Sequence, residues 1–420
     1  MALESVFVCS RTIGSLRSGP LGEFLDGYND WLLESGFKRA TVRTHLANLS
    51  HLNAYLARRK ERDRQTLSVE DVGGFFKEYS SRVRGKEVSD HHVRRVRWAI
   101  NRFIRYLRRQ NLFEPSTEPA LYQPLLDAYL GWMRDYQHAA PGTLGIRSHC
   151  LARFLQWLGP LATTEGLQGL TPETVEQFFL SYSRNMGRAG RRSMQAALRT
   201  FFRFCVYQRY LERQLDRAVP TLRTYKLATV PRGLTDEQAQ QVLAGISLDS
   251  KAGQRDYAIC QLLRTYGVRG GQIRALRLED IDWANDRILF RALKHGKDSL
   301  LPLTAEAGQS LLNYLRNARP PCACPEVFVT TRAPYHPLPH SNTLASIVGR
   351  HIRSVGIDSS RKGAYVFRHG FATRMLQEGH SLKKVADVLG HRHLATTFIY
   401  TKVDFNALKK VGLAWPREEK

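Results

Sequence analysis

Residues 365–376 and 389–404 read YVFRHGFATRML and LGHRHLATTFIYTKVD, and these two stretches decide how the rest of the chain is read. They place Arg368, His391 and Tyr400 in that order, with a step of nine residues from His391 to Tyr400. Working outward, TYGVRGGQIRALRLEDIDW (265–283) holds Arg269 and LKHGKDSLLPL (293–303) holds Lys294 and, three on, Lys297. A lone arginine or tyrosine would say nothing in a chain with 63 Lys+Arg and 17 Tyr, but the ordered set is informative. Thr235 reads as a helix N-cap, with Asp236 and Glu237 suited to the first turn. DRILFRAL (286–293), the turn KHGK and DSLLPL (298–303) predict a short hairpin or small sheet, and helices return after Leu303.

Together these four segments, with the TKVD that follows Tyr400 as a fifth, resemble the catalytic domain of the tyrosine recombinases, the phage-integrase family, and the C-terminal end is similar to transposon-associated integrases. The resemblance is close from about residue 231 to the end. It implies a site-specific recombinase or integrase that cuts and rejoins DNA through a 3′-phosphotyrosyl intermediate, to integrate, excise or resolve a mobile element. Tyr400 would attack phosphorus, and Arg269 and Arg368 would hold the nonbridging oxygens, since a guanidinium stays charged and forks two bonds onto phosphate as lysine cannot. Lys294 would protonate the leaving oxygen, with Lys297 as rival, and His391 would hydrogen-bond the scissile phosphate. His369 reads as structural and His393 as surface. The bond energy is conserved in the covalent intermediate, so neither cofactor nor metal is implied.

Two positions depart from the family pattern. Tyr365 stands where the first histidine of H-x-x-R usually lies, and a phenol is a poor base at neutral pH. Gln272 stands where an acidic residue commonly follows three after the first arginine, which removes a candidate base or arginine-positioning group.

The first half contains a repeat of about a hundred residues. LDGYNDW from Leu25 recurs as LDAYLGW from Leu126, LSVEDVGGFFKEYS from Leu67 as LTPETVEQFFLSYS from Leu170, and FIRYLRRQ from Phe103 as FFRFCVYQ from Phe201. Apolar residues three and four apart predict helices, and no strand signal is visible there. The second copy resembles the helical core-binding domain that such enzymes place before the catalytic domain; the first copy is extra. Arg94 and Arg95 in copy one, and Arg188, Arg191, Arg192 and Arg199 in copy two, are candidate DNA-binding residues.

The expected fold is therefore mainly α with a small antiparallel sheet: two tandem helical SAM-like DNA-binding domains, then a mixed α/β catalytic domain. The expected divisions are an N-terminal segment (1–20), the first repeat (21–113), the second (119–213), a linker (214–233), the catalytic domain (234–404) and a C-terminal docking tail (405–420). Phe405, Leu408 and Val411 form an apolar stripe in that tail. By resemblance it docks on a neighbouring protomer, giving a homotetramer on two duplexes of recombination-site DNA, with room for accessory recombination proteins.

The formal net charge is +25, and both halves are basic, which favours a polyanionic partner. No apolar run is long enough to span a bilayer, and a secretory signal is not evident near VFVC (6–9), so a cytoplasmic, bacterial and nucleoid-associated enzyme is expected. The six cysteines are scattered, and Cys322 and Cys324 lack a second pair at zinc spacing. A topoisomerase-like relaxing enzyme would use the same residues without pairing two sites. A non-catalytic DNA-binding regulator is the other alternative, favoured by Tyr365 and Gln272 and opposed by the five intact positions.

Overall fold

Helix-period patterning and capping residues account for most of the architecture. The computed structural model describes residues 3–59, 66–84, 89–114, 120–222, 233–293, 298–339, 341–358, 363–391 and 393–403. The described chain is mainly helical with a small antiparallel sheet. In chain order the elements are α1 (Ser10–Arg17), α2 (Gly22–Glu34), α3 (Arg39–Arg58), β1 (Leu67–Ser68), α4 (Val69–Arg84), α5 (Asp90–Arg109), β2 (Phe113–Glu114) and α6 (Gln123–Asp135). There follow α7 (Pro141–Leu158), α8 (Thr164–Leu167), α9 (Pro172–Ser183), α10 (Arg188–Tyr207), α11 (Asp236–Ala244), α12 (Lys251–Tyr266) and α13 (Gly270–Ala275). The last are β3 (Ile281–Asp282), β4 (Arg287–Phe290), β5 (Ser299–Pro302), α14 (Ala305–Asn317), α15 (Ser341–Ser354), α16 (Ala364–Gln377) and α17 (Leu382–Val388). Among the described residues no helix is long and apolar enough to cross a membrane.

Two compact units divide the chain, one of residues 1–60, 94–106 and 227–420 and the other of 61–93 and 107–226. The sequence repeat reappears as the same aromatic packing in each. Tyr28 meets Phe103 edge-on at 5.0 Å, and Trp31 lies 5.8 Å from Tyr106. At the matching positions Tyr129 meets Phe201 edge-on at 5.6 Å, and Trp132 lies 5.6 Å from Phe204. Edge-to-face contacts between fully buried rings add specificity to apolar burial, so these positions fix how the first helix of each copy meets its last. Two features were not foreseen. A two-residue parallel pairing, Leu67 with Phe113 and Ser68 with Glu114, lies where no strand was expected, being too short to leave a period-two pattern. Leu215 and Val219, in the expected linker, are buried in the same core as α6–α10.

In the other unit, Thr235 caps α11 reciprocally with Gln238, as its sequence leads one to expect. The expected hairpin is β4 and β5, paired antiparallel from Arg287 with Pro302 to Phe290 with Ser299, with β3 on the far side of β4. Phe290 is fully buried, and the Tyr266 hydroxyl at the end of α12 donates to Pro302 O at 2.8 Å, tying the sheet to the helical core. Asp236 accepts from both Arg264 and Arg374, which joins α11, α12 and α16. Asp256, nearly inaccessible, receives Arg255, Arg350 and His351; burial opposes its charge, but His351 and Arg255 keep its carboxyl below the usual range. Gly370 lets the chain entering at Leu234 lie against α16, since a Cβ there would fall 2.1 Å from Leu234 O.

Candidate active site

Arg269 sits where α12 turns into α13. Gly267 ends α12 in the left-handed region (φ +58°), which a glycine adopts without strain, and Arg269 then precedes the first turn of α13. There Gln272 Oε1 accepts the Arg269 backbone N–H at 3.0 Å, and its Nε2 donates to Arg291 O at 3.5 Å. The neutral amide therefore positions the Arg269 backbone, the task whose loss the missing carboxylate implied.

Arg368 lies in the middle of α16 and is 3% exposed. Its Nη1 donates to Gly267 O at 3.0 Å and its Nη2 to Leu389 O at 2.7 Å. Arg269 donates to Leu389 O and Gly390 O, each at 3.4 Å. Both guanidiniums thus meet at the carbonyl end of α17, where a helix terminus leaves acceptors to be filled and its dipole favours cations. Burial, and then the charge of Arg269, pull Arg368 down to about 10, so it stays protonated at neutral pH.

Directly after Gly390, His391 shares a 2.7 Å hydrogen bond through Nδ1 with Thr397 Oγ1, and the Thr397 side chain is fully buried. Burial first, then Arg368, Arg269 and His369, depress the imidazole to about 4, so it is neutral near pH 7. Tyr400 follows in a 3-10 turn, Phe398–Val403, and is 2% exposed, packed with Ala372, Leu376, Val385 and Leu389. Its hydroxyl and His369 Nδ1 are 2.9 Å apart. Burial raises the phenol above its usual value, against the lowering charges of Arg368 and Arg269.

The structure thus gathers Arg269, Arg368, His391 and Tyr400 around the α17 terminus. Tyr365, on the first turn of α16, is 61% exposed with its ring 6.2 Å from that of His369. Lys294 and Lys297 lie outside the described residues. The strands that flank them are placed: an ideal Cβ on Gly390 would stand 3.9 Å from both Ser299 Oγ and Arg269 Nη1. Sequence reasoning treated His369 as structural, yet it holds the Tyr400 hydroxyl; the available signal was its place four residues, one helical turn, after Tyr365. Of the candidate DNA-binding arginines, Arg94, Arg95, Arg188 and Arg192 are exposed. Arg191 donates to Met186 O at 2.8 Å. Arg199 donates to Val219 O and the Thr221 hydroxyl and so fastens the segment after α10.

Residues 232–407 match the model of the phage integrase family. Over 405 residues the chain is 31% identical to "Putative integrase/recombinase y4rA" of Sinorhizobium fredii, covering 95% of this chain and 96% of the relative. The chain belongs to the phage integrase family of tyrosine recombinases. It is a tyrosine site-specific recombinase, an enzyme of DNA strand breaking and rejoining. The tyrosine recombinase XerC of Chlorobaculum parvum is 25% identical, with 78% of this chain and 96% of the relative aligned. Among solved structures, XerH site-specific recombinase bound to a palindromic difH substrate in a post-cleavage complex overlays with a TM-score of 0.51 at 21% identity. That overlay covers 68% of this chain and 82% of the other, and it bears on the fold of the recombinase.

Proposed function

We propose that Tyr400 is the nucleophile of this recombinase, attacking a DNA phosphodiester to leave a 3′-phosphotyrosyl end and a 5′ hydroxyl. Arg269 and Arg368 clamp the nonbridging oxygens, His391 donates to one of them, Lys294 protonates the leaving oxygen, and Tyr365 borders the same phosphate. The observation that carries this reading is the convergence of two guanidiniums on Leu389 and Gly390 beside the Tyr400 hydroxyl. Two like charges held together disfavour one another and favour an anion between them, and charge grows on phosphate as the transition state forms. The 3.4 Å contacts of Arg269 are at the long limit of hydrogen bonding and are readily exchanged for phosphate oxygens.

The substrate is double-stranded DNA at recombination sites, and the exchange serves integration, excision or resolution of a mobile element. The repeated packing of Tyr28 with Phe103 and of Tyr129 with Phe201 supports two tandem SAM-like DNA-binding domains, 21–113 and 119–213, ahead of a catalytic domain over 234–404. A homotetramer on two duplexes, joined through residues 405–420 and assisted by accessory proteins, completes the reading; those residues lie outside the described part. The direct test is a nicked suicide duplex carrying the end sequences of the element that encodes the chain. Wild-type protein gives a covalent protein–DNA band on denaturing gels, and Tyr400→Phe gives none. A persistent band from Tyr400→Phe would falsify the assignment.

A further inference from the structure

We propose that His369 is the base that takes the phenolic proton of Tyr400, in place of the imidazole that the chain lacks at residue 365. The inference rests on the reading of Tyr400 as nucleophile. Its physical ground is the 2.9 Å hydrogen bond between His369 Nδ1 and the Tyr400 hydroxyl, with the two rings 5.5 Å apart. That distance is within proton-transfer reach before any substrate is bound. With the ring proton on Nε2, Nδ1 accepts the phenolic hydrogen.

Among the described residues of the site, the other side chains are less suited to this work. His391 engages Thr397 through its own Nδ1, so its remaining nitrogen is the one suited to phosphate. Arg269 and Arg368 carry only donors and remain charged, so neither can accept a proton. Tyr365 bears a phenol rather than an imidazole and is mostly exposed. Moving four residues along α16 keeps the same helix face, and there the chain has a histidine that is 9% exposed. Burial makes the phenol of Tyr400 hold its proton more tightly, so attack at neutral pH needs a base in contact with it.

The bond from Tyr400 Oη to phosphorus forms while the bond from phosphorus to the 5′ oxygen breaks. The phenolic proton passes to His369 Nδ1, and the departing oxygen takes a proton from a separate acid, for which Lys294 is the proposed donor. On religation the 5′ hydroxyl gives its proton back to the group that supplied it and attacks phosphorus, the bond from phosphorus to Tyr400 Oη breaks, and the imidazolium returns its proton to Tyr400.

The test uses the full chain on the same nicked duplex, with His369→Asn, whose amide can stand where Nδ1 stood and bond the phenol but cannot take its proton. Covalent complex should form at least about 100-fold more slowly, while gel-shift binding of the duplex and the urea midpoint stay near wild type. A duplex with sulfur at the 5′-bridging position, whose thiolate leaves without an acid, should restore none of that loss. His369→Gln replaces His369→Asn if the latter shifts the urea midpoint. Cleavage within about threefold of wild type overturns the inference, and so does rescue by the bridging sulfur, which would place His369 at the leaving oxygen. Inert Tyr400→Phe beside an active His369→Asn sinks this inference alone, whereas an active Tyr400→Phe sinks the nucleophile reading with it.

Discussion

Arg368→Lys and Arg269→Lys should lose cleavage alike and lose stability unlike, because the two guanidiniums are held differently. Arg368 fills two backbone carbonyls, Gly267 O at 3.0 Å and Leu389 O at 2.7 Å, and is 3% exposed. A lysine ammonium at that position can serve one of them, and a buried carbonyl left unpaired costs about 1–3 kcal/mol. The urea m-value, about 1–3 kcal/mol/M for small proteins, grows with the surface exposed on unfolding, so in a chain of this size the midpoint should drop by up to about 1 M. Arg269 holds Leu389 O and Gly390 O only at 3.4 Å, so Arg269→Lys should cost under about 1 kcal/mol. Each variant also loses a forked donor directed at developing charge, worth about 100- to 1,000-fold in rate. Single-turnover trapping on the nicked duplex gives the rates, and urea unfolding of the full chain by circular dichroism gives the midpoints. Wild-type cleavage by Arg368→Lys, or equal midpoint shifts in the two variants, would refute the reasoning.

Two further outcomes follow from buried groups. Gln272→Ala removes the acceptor of the Arg269 N–H and should cost about 1 kcal/mol and slow cleavage several-fold, while Gln272→Glu, which keeps an acceptor, should recover most of both; equal loss in the two variants would mean that this acceptor is not what Gln272 supplies. His45 is fully buried between Phe37 and Trp98, both its ring nitrogens lack a hydrogen-bond partner among the described residues, and burial, then Arg102, depress it to about 4. The unfolded chain binds this proton near pH 6.5 and the folded chain does not, so stability is full above about 6.5 and falls by up to about 3 kcal/mol as pH drops toward 4. In His45→Leu that acid loss should shrink, and urea midpoints at pH 7.5 and 5 that fall equally in both proteins would count against it.

How much of this was legible depends on how local each signal is. The hairpin strands flanking KHGK and the Thr235 cap lie close to their own cause, so periodicity and capping rules reach them, and the Tyr28/Tyr129 and Trp31/Trp132 repeat is legible because the sequence itself recurs. The family residues could be read because their order and spacing are themselves the signal. The bond of His369 to Tyr400 could not, since it spans 31 residues and depends on how the last turn folds back on α16. Arg199 looked like its exposed neighbours on the helix, and only the return of Val219 and Thr221 over it reveals its role. Gln272 was read by the charge it lacks, whereas its effect comes from the acceptor it keeps.

The same two departures shape the electrostatics of the site. Arg269 and Arg368 are both charged near pH 7, His391 is neutral with its value near 4, and burial keeps the Tyr400 phenol protonated. After burial, the charge that lowers Arg368 is that of Arg269, and Gln272 brings an uncharged amide. Among the described residues the cluster therefore stands at about two positive charges. A phosphodiester brings one negative charge and its five-coordinate transition state about two, so the match improves as the reaction proceeds. Arg368, buried and lowered by its neighbour, bears the cost of this arrangement in the DNA-free protein, and a docked phosphate relieves it. Binding and catalysis then draw on one interaction, while Tyr400 stays protonated on His369 until phosphorus is in place to receive it.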